Sequence, residues 1–141
     1  MIDKASLKKH SYPLVSILIN CFNGEKYLDE AIKSILKQTY TKWEIIFWDN
    51  KSTDNSAKIF KSYNDRRFHY YYSYEHTHLG GGRAKAYKYL KGDYIAILDT
   101  DDIWFPNKLE KQLEAFKDKD VGIVISNAYK FSNKSKKAIF K

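Results

Sequence analysis

Hydrophobic and polar positions along this chain switch repeatedly between a strand-like and a helical period. Leu14 to Ile19 is a short apolar run rich in β-branched residues, the pattern of a strand buried on both faces. Asn23-Gly24 breaks it. From Glu25 to Lys37, Leu28, Ala31, Ile32, Ile35 and Leu36 return every three or four positions, which predicts one face of a helix. Trp43 to Asp49 reads as a second strand, and Ser52, Thr53 and Asp54 offer capping oxygens ahead of Ala57, Ile59 and Phe60. Phe68 to Tyr74 predicts a third strand. Gly80-Gly81-Gly82 opens a helical stretch with Ala84, Tyr87 and Leu90 on one side, and Gly92 is expected near its C-cap. Tyr94 to Asp99 predicts a fourth strand. Pro106 suits the first helical position before Leu109, Leu113 and Phe116, and Val121 to Ile125 predicts a fifth strand. Strands alternating with helices, with apolar runs on both faces, predict an α/β fold: a three-layer α/β/α sandwich around a mostly parallel sheet.

Composition narrows the class. The 141 residues are 43% hydrophobic and 30% charged, which suits one globular domain. The expected layout is an N-terminal tail over 1–12, a domain over 13–129 and a basic end over 130–141. The lone Cys21 excludes a disulfide framework and a multi-cysteine zinc module, and it fits a reducing compartment. No apolar run approaches the ~20 residues that span a bilayer, and no secretory pattern is present. A soluble, cytoplasmic location is therefore expected. With 25 Lys+Arg against 17 Asp+Glu the net charge is +8. A solvated lysine-rich surface accounts for that charge; an anionic membrane surface or nucleic acid are the sharper alternatives. The tyrosines at 70, 71, 72 and 74 read as strand packing, so no nucleic-acid partner is expected.

In parallel sheets ligands bind beyond the carboxyl ends of the strands. Three such ends carry polar chemistry here: Asn20 to Asn23, Asp49-Asn50, and Asp99-Thr100-Asp101-Asp102. Three acids within four residues repel one another, and a hard divalent cation, Mg²⁺ or Mn²⁺, would offset that repulsion. The plainer alternative is that one or two cap the following helix and the rest face water. A nucleophilic Asp-x-Asp of the haloacid-dehalogenase kind belongs after an early strand, whereas this one follows the fourth. Neither Gly-x-x-x-x-Gly-Lys-Ser/Thr nor Gly-x-Gly-x-x-Gly after the first strand exists. Gly80 to Gly82 can present backbone N–H groups to an anion beside Arg83, or simply turn the chain. His76 and His78 read as a loop pair without ligand, Cys21 as a packed thiol, and Tyr27 and Trp48 as packing residues.

Pro13 to Leu28 and Ala31 to Tyr40, taken together, resemble the opening of family 2 glycosyltransferases with the GT-A fold. The resemblance continues through Trp48 to Asp54, Lys91 to Asp102 and Pro106 to Gln112, and so spans about 13 to 129. It implies transfer of a sugar from a nucleotide-diphosphate donor, a UDP-sugar being favoured, to an acceptor hydroxyl with inversion. The acceptor would be a glycan or lipid-linked, in cell-surface polysaccharide or lipopolysaccharide synthesis, with peripheral contact at the inner face of the membrane. By the same resemblance Asp49 holds the nucleotide base, with Asn50 beside it. Asp99 lies near the ribose, Asp101 coordinates Mn²⁺ or Mg²⁺ on the diphosphate, and Asp102 supports it, so Asp99, Asp101 and Asp102 form the expected metal set. Phe22, Asn23 and Gly24 border the nucleotide, and Arg83 approaches its phosphates or ribose. Two departures stand out: Asp49-Asn50-Lys51-Ser52 replaces the frequent Asp-Asp-Gly-Ser, and Ala84 replaces the Asn that commonly follows the Arg. Inversion needs a general base. The segment Ala128 to Lys141 contains no Asp or Glu, so that base is expected beyond Lys141 and the domain reads as truncated. The alternative is an inactive nucleotide-sugar-binding module lacking the acceptor half.

Overall fold

The structure, a computed structural model, describes residues 12–132 and 135–138, with side chains as far as 130. Most of the N-terminal tail and most side chains of the basic end lie outside the described residues. Four parallel strands, β1 (Val15–Cys21), β2 (Trp43–Asp49), β3 (Phe68–Tyr72) and β4 (Tyr94–Ile97), form one sheet in the order β3-β2-β1-β4. Four helices connect or follow them: α1 (Glu25–Leu36), α2 (Ser56–Ser62), α3 (Leu79–Ala86) and α4 (Lys108–Ala115). Two short antiparallel strands, β5 (Tyr129–Ser132) and β6 (Ser135–Ala138), form a separate pair.

Alternation along the central strands builds the layers. Val15, Ile17, Ile19 and Cys21 of β1 join Trp43, Ile45 and Phe47 of β2 on one face, against Leu28, Ala31, Ile32 and Ile35 of α1, Phe60 of α2 and Leu109 of α4. On the opposite face Leu18, Ile46 and Trp48 pack with Ala86 of α3 and with Tyr71, Tyr89 and Leu90. Both central strands are buried along their whole length. The three-layer α/β/α arrangement expected from the sequence is what forms.

That second face also carries a buried polar knot. The Ser16 hydroxyl donates to Glu44 Oε1 at 2.7 Å, and the backbone N–H groups of Lys91 and Gly92 donate to Ser16 Oγ at 3.1 and 2.7 Å. Lys91 N–H also reaches Glu44 Oε1 at 3.0 Å. The chain entering β4 is thereby tied to β1 and β2 before its own strand pairing begins.

Three local expectations need correction. Gly92 does not cap a helix, because the helical stretch ends in a 3₁₀ turn over Tyr87–Tyr89. Its glycine is required by contact instead: a Cβ there would lie 2.4 Å from Ser16 N and 2.8 Å from Leu14 O. Pro106 precedes α4 rather than opening it, since Asn107 is the N-cap; its carbonyl accepts from Thr39 N–H at 2.8 Å. Val121 to Ile125 is not a strand. Ile123 and Ile125 are 83% and 88% exposed, and a cleft of about 520 Å³ lies between this segment and the start of β4. A β-branched run without a neighbouring ladder has nothing to pair with, so β4 remains the sheet edge. Among the residues read as packing, Trp48 is buried whereas Tyr27 is 45% exposed.

The Gly92 contacts are with backbone, which cannot move aside. Gly92→Ala is expected to cost roughly 1–3 kcal/mol in urea unfolding through overpacking. Gly122→Ala, whose Cβ meets nothing within 4 Å, is expected to stay within about 0.5 kcal/mol of the parent.

Candidate functional site

Parallel pairing brings the polar strand ends to one edge. The β1–β2 register sets Cys21 opposite Asp49, and the β1–β4 register sets Leu18 opposite Ile97. Beyond these ends lies an open cleft of about 310 Å³. Asn20 and Phe22 line it from β1, Asn50 from β2, and Asp99, Thr100 and Asp101 from β4. The remaining wall is the segment His76 to Leu79 that leads into α3.

The loops after β1 and β2 are knitted together by side chains. Asn23 takes a left-handed backbone, φ 52°, and its Oδ1 accepts from Thr53 N–H at 2.8 Å, while Asn23 N–H donates to Ser52 Oγ at 3.1 Å. Gly24 N–H donates to Ser56 Oγ, Glu25 N–H donates to Asp54 Oδ2, and Asn55 N–H donates to Glu25 Oε2. Lys51, at φ 69°, is the second non-glycine residue in the left-handed region among the described residues. Asn23 and Gly24 therefore shape the cleft margin without lining it. A Cβ on Gly24 would stand 3.0 Å from both Cys21 Sγ and Thr100 Cβ.

Asp49 is fully buried and does not line the cleft. Its Oδ1 accepts from Ser52 N–H at 2.7 Å and its Oδ2 from the Tyr70 hydroxyl at 2.6 Å. Burial, and then this bond to Asp49, raise the Tyr70 phenol above its ordinary range. Asn50 is also buried yet reaches the cleft, and its amide clamps the opposite wall. Nδ2 donates to Thr77 O, and Oδ1 accepts from Thr77 N–H at 3.2 Å and from Thr77 Oγ1 at 3.1 Å. The structure thus separates the two neighbours: Asp49 braces β2 against β3, and Asn50 faces the site.

Asp99 forms an ion pair with Arg83, whose Nε is buried without a hydrogen-bond partner among the described residues. Asn20 Oδ1 is likewise buried and unpartnered. Gly82 lies against that oxygen, since a Cβ there would be 2.5 Å from it. Asp101 lines the cleft, whereas Asp102 does not; its N–H donates to Asp99 O at 3.1 Å. Burial raises the Cys21 thiol above its ordinary value, in keeping with a packed group rather than a nucleophile.

Sequence reasoning set His76 and His78 aside, yet both line the cleft. His76 packs against Phe22 with ring centroids 4.1 Å apart and planes tilted by 50°, and its Nδ1 lies 3.1 Å from Asn50 O. His78 caps α3, its Nδ1 accepting from Gly81 N–H at 3.1 Å. The spacing His-Thr-His just ahead of a glycine run was the available signal. Asn20, Thr77 and Leu79 were also unassigned.

The family model described as "Glycosyl transferase family 2" matches residues 16–139. Among curated proteins, the putative teichuronic acid biosynthesis glycosyltransferase TuaG of Bacillus subtilis is 39% identical over 72% of this chain and 41% of its own. The Escherichia coli UDP-Glc:alpha-D-GlcNAc-diphosphoundecaprenol beta-1,3-glucosyltransferase WfgD is 35% identical over 86% of this chain and 48% of its own. The chain thus spans less than half the length of these curated relatives. Among solved structures, S. aureus TarS 1-349 in complex with UDP superposes with a TM-score of 0.68 at 28% identity, over 74% of this chain and 32% of that one. The mannosyltransferase PcManGT from Pyrobaculum calidifontis, in complex with GDP-Man and Mn²⁺, gives 0.74 at 21% identity over 80% of this chain and 35% of that one, a likeness of fold. With five sequence motifs, the three-layer sheet and the strand-end cleft agreeing with a match over nearly the whole chain, this polypeptide belongs to glycosyltransferase family 2.

Proposed function

We propose that this chain forms the donor-binding part of a metal-dependent, inverting glycosyltransferase that uses a nucleotide-diphospho-sugar, UDP-sugars being favoured, in cell-surface polysaccharide synthesis. The observation that carries the reading is the convergence of Asp99, Asp101, Asn50 and Phe22 on one cleft at the strand ends. In the reaction the bond from the anomeric carbon to the diphosphate breaks while the acceptor hydroxyl oxygen bonds that carbon from the opposite face. The hydroxyl proton passes to a base, a role assigned to no described residue.

The donor set fits a divalent cation that shares substrate oxygens. Among the described residues no group of three His, Cys, Asp or Glu forms an all-protein cage. Two cleft carboxylates completed by diphosphate oxygens and water is the coordination Mg²⁺ and Mn²⁺ accept readily. The local field agrees: burial, then the charges of Asp101 and Asp99, raise the Asp102 carboxyl above its ordinary value. Asp101 and Asp99 would hold the ion, with Asp102 behind them. When bound, the cation supplies positive charge beside the departing diphosphate. Arg83 does not line the cleft itself; its ion pair keeps Asp99 oriented at the cleft wall. Phe22 offers a stacking face to the base, and Asn50 fixes the wall beside it.

No helix of the described residues is long and apolar enough to cross a membrane. The name of the E. coli relative specifies a diphosphoundecaprenol-linked substrate. A lipid-linked acceptor, met at the cytoplasmic face of the membrane with help from the excess of lysine, is the acceptor reading we adopt.

Calorimetric titration of UDP with and without Mn²⁺ tests the assignment. Binding strengthened by Mn²⁺ and weakened at least about tenfold in Asp101→Asn is expected. Failure of UDP, GDP and dTDP alike to bind would refute it. Binding without any transfer or hydrolysis of UDP-sugar would leave the nucleotide-binding module as the function of this chain.

A second expectation concerns pH. A carboxyl whose folded-state pKa is raised holds its proton more tightly in the folded chain, so its contribution to stability declines as pH rises from the unfolded value, ~3.9, through the folded one. Asp102→Asn should therefore make the metal-free protein slightly more stable at pH 7 than the parent and flatten the fall in urea-unfolding free energy between pH 4 and 7. An unchanged profile would show that the three acids do not strain one another.

A further inference from the structure

The two cleft histidines use Nδ1 in opposite hydrogen-bonding senses, and this bears on which nucleotides the site accepts. His76 Nδ1 lies 3.1 Å from the backbone oxygen of Asn50. A carbonyl oxygen only accepts, so in the neutral ring Nδ1 carries the hydrogen and Nε2 keeps a lone pair. With Nδ1 engaged in this way, Nε2 is the ring nitrogen left to meet a ligand. His78 is reversed: its Nδ1 accepts from Gly81 N–H, so its neutral Nε2 is a donor.

The acceptor at His76 is exposed but held from two sides. Its ring packs against Phe22 with centroids 4.1 Å apart and planes tilted by 50°, and the next residue, Thr77, is clamped by three hydrogen bonds to the buried Asn50 amide. A lone pair is the wrong group to meet phosphate oxygens, which are themselves acceptors. It suits a part of the ligand that donates. Phe22, half exposed at the same end of the cleft, offers a ring face for a planar base beside it.

We propose that His76 selects among nucleoside diphosphates by accepting, at Nε2, a hydrogen bond from a ring N–H of the base. The proposal rests on the reading of this cleft as a nucleotide-diphosphate donor site. Uracil, thymine and guanine carry such an N–H on their pairing edge. Cytosine and adenine carry a lone pair at the corresponding ring nitrogen, which sets acceptor against acceptor and leaves both unsatisfied.

The test is a matrix of Mn²⁺-supported titrations of UDP and CDP into the parent chain, His76→Phe and His76→Gln. The phenylalanine keeps the ring on Phe22 and deletes the acceptor; the glutamine restores a carbonyl acceptor. The parent is expected to bind UDP about tenfold or more tightly than CDP. In His76→Phe that ratio falls to about twofold or less, chiefly through loss of UDP affinity, and in His76→Gln it recovers in part. Equal weakening of UDP and CDP in His76→Phe would mean that His76 serves the ribose they share, and it overturns the proposal. An unchanged ratio, or a parent that does not distinguish the two, overturns it as well. Those results leave the donor-site reading standing, because UDP still binds with metal; a parent that binds no nucleoside diphosphate removes both.

Discussion

Parallel pairing of β1 with β2 on one side and β4 on the other is the constraint on which the rest of the molecule depends. It forces three strand ends to the same edge and requires helices to return the chain across the faces. Burial of β1 and β2 along their full length keeps that pairing in register, because a one-residue slip would exchange the side chains of the two faces. Everything polar at the cleft is then a matter of where each strand stops. Asn20 is the last polar residue of β1 on the α3 side, and Phe22 follows as the strand ends.

The two faces contribute differently to this geometry. The α1 side is mainly an aliphatic and aromatic core, with Ser34 and Gln38 bonding the backbone from Trp104 to Leu109 far from the cleft lining. The α3 side is specific. Ser16 and Glu44 gather the backbone entering β4, Gly82 permits α3 to close on Asn20, and Asn50 holds the approach to α3. A nucleotide bound in the cleft would meet residues of this second kind, fixed by bonds whose partners lie far apart in sequence.

That distance explains what the sequence could and could not reveal. Central strands and α1 were legible because their periods are local and strong. The acidic cluster was legible because three acids after an apolar run demand an explanation. The fate of Asp49 was hidden, since its bracing partner Tyr70 arrives through strand pairing across the sheet. For His76 and His78 the His-Thr-His spacing ahead of the glycine run was the only local signal, because the contact with Asn50 O that sets the His76 ring forms across the fold. Val121 to Ile125 shows the converse failure, where local β preference is genuine but no neighbouring strand accepts it.

Lys51 carries one further consequence. Its backbone sits at φ 69°, a region where a side chain costs roughly 1–2 kcal/mol relative to glycine, and the motif it interrupts frequently has glycine there. The loop keeps this shape because Ser52, Thr53 and Asn23 hold it from outside. The shape of the loop therefore does not depend on glycine at residue 51, because its neighbours carry the bonds that fix it. Glycine at this position would relieve the backbone penalty without redrawing the cleft.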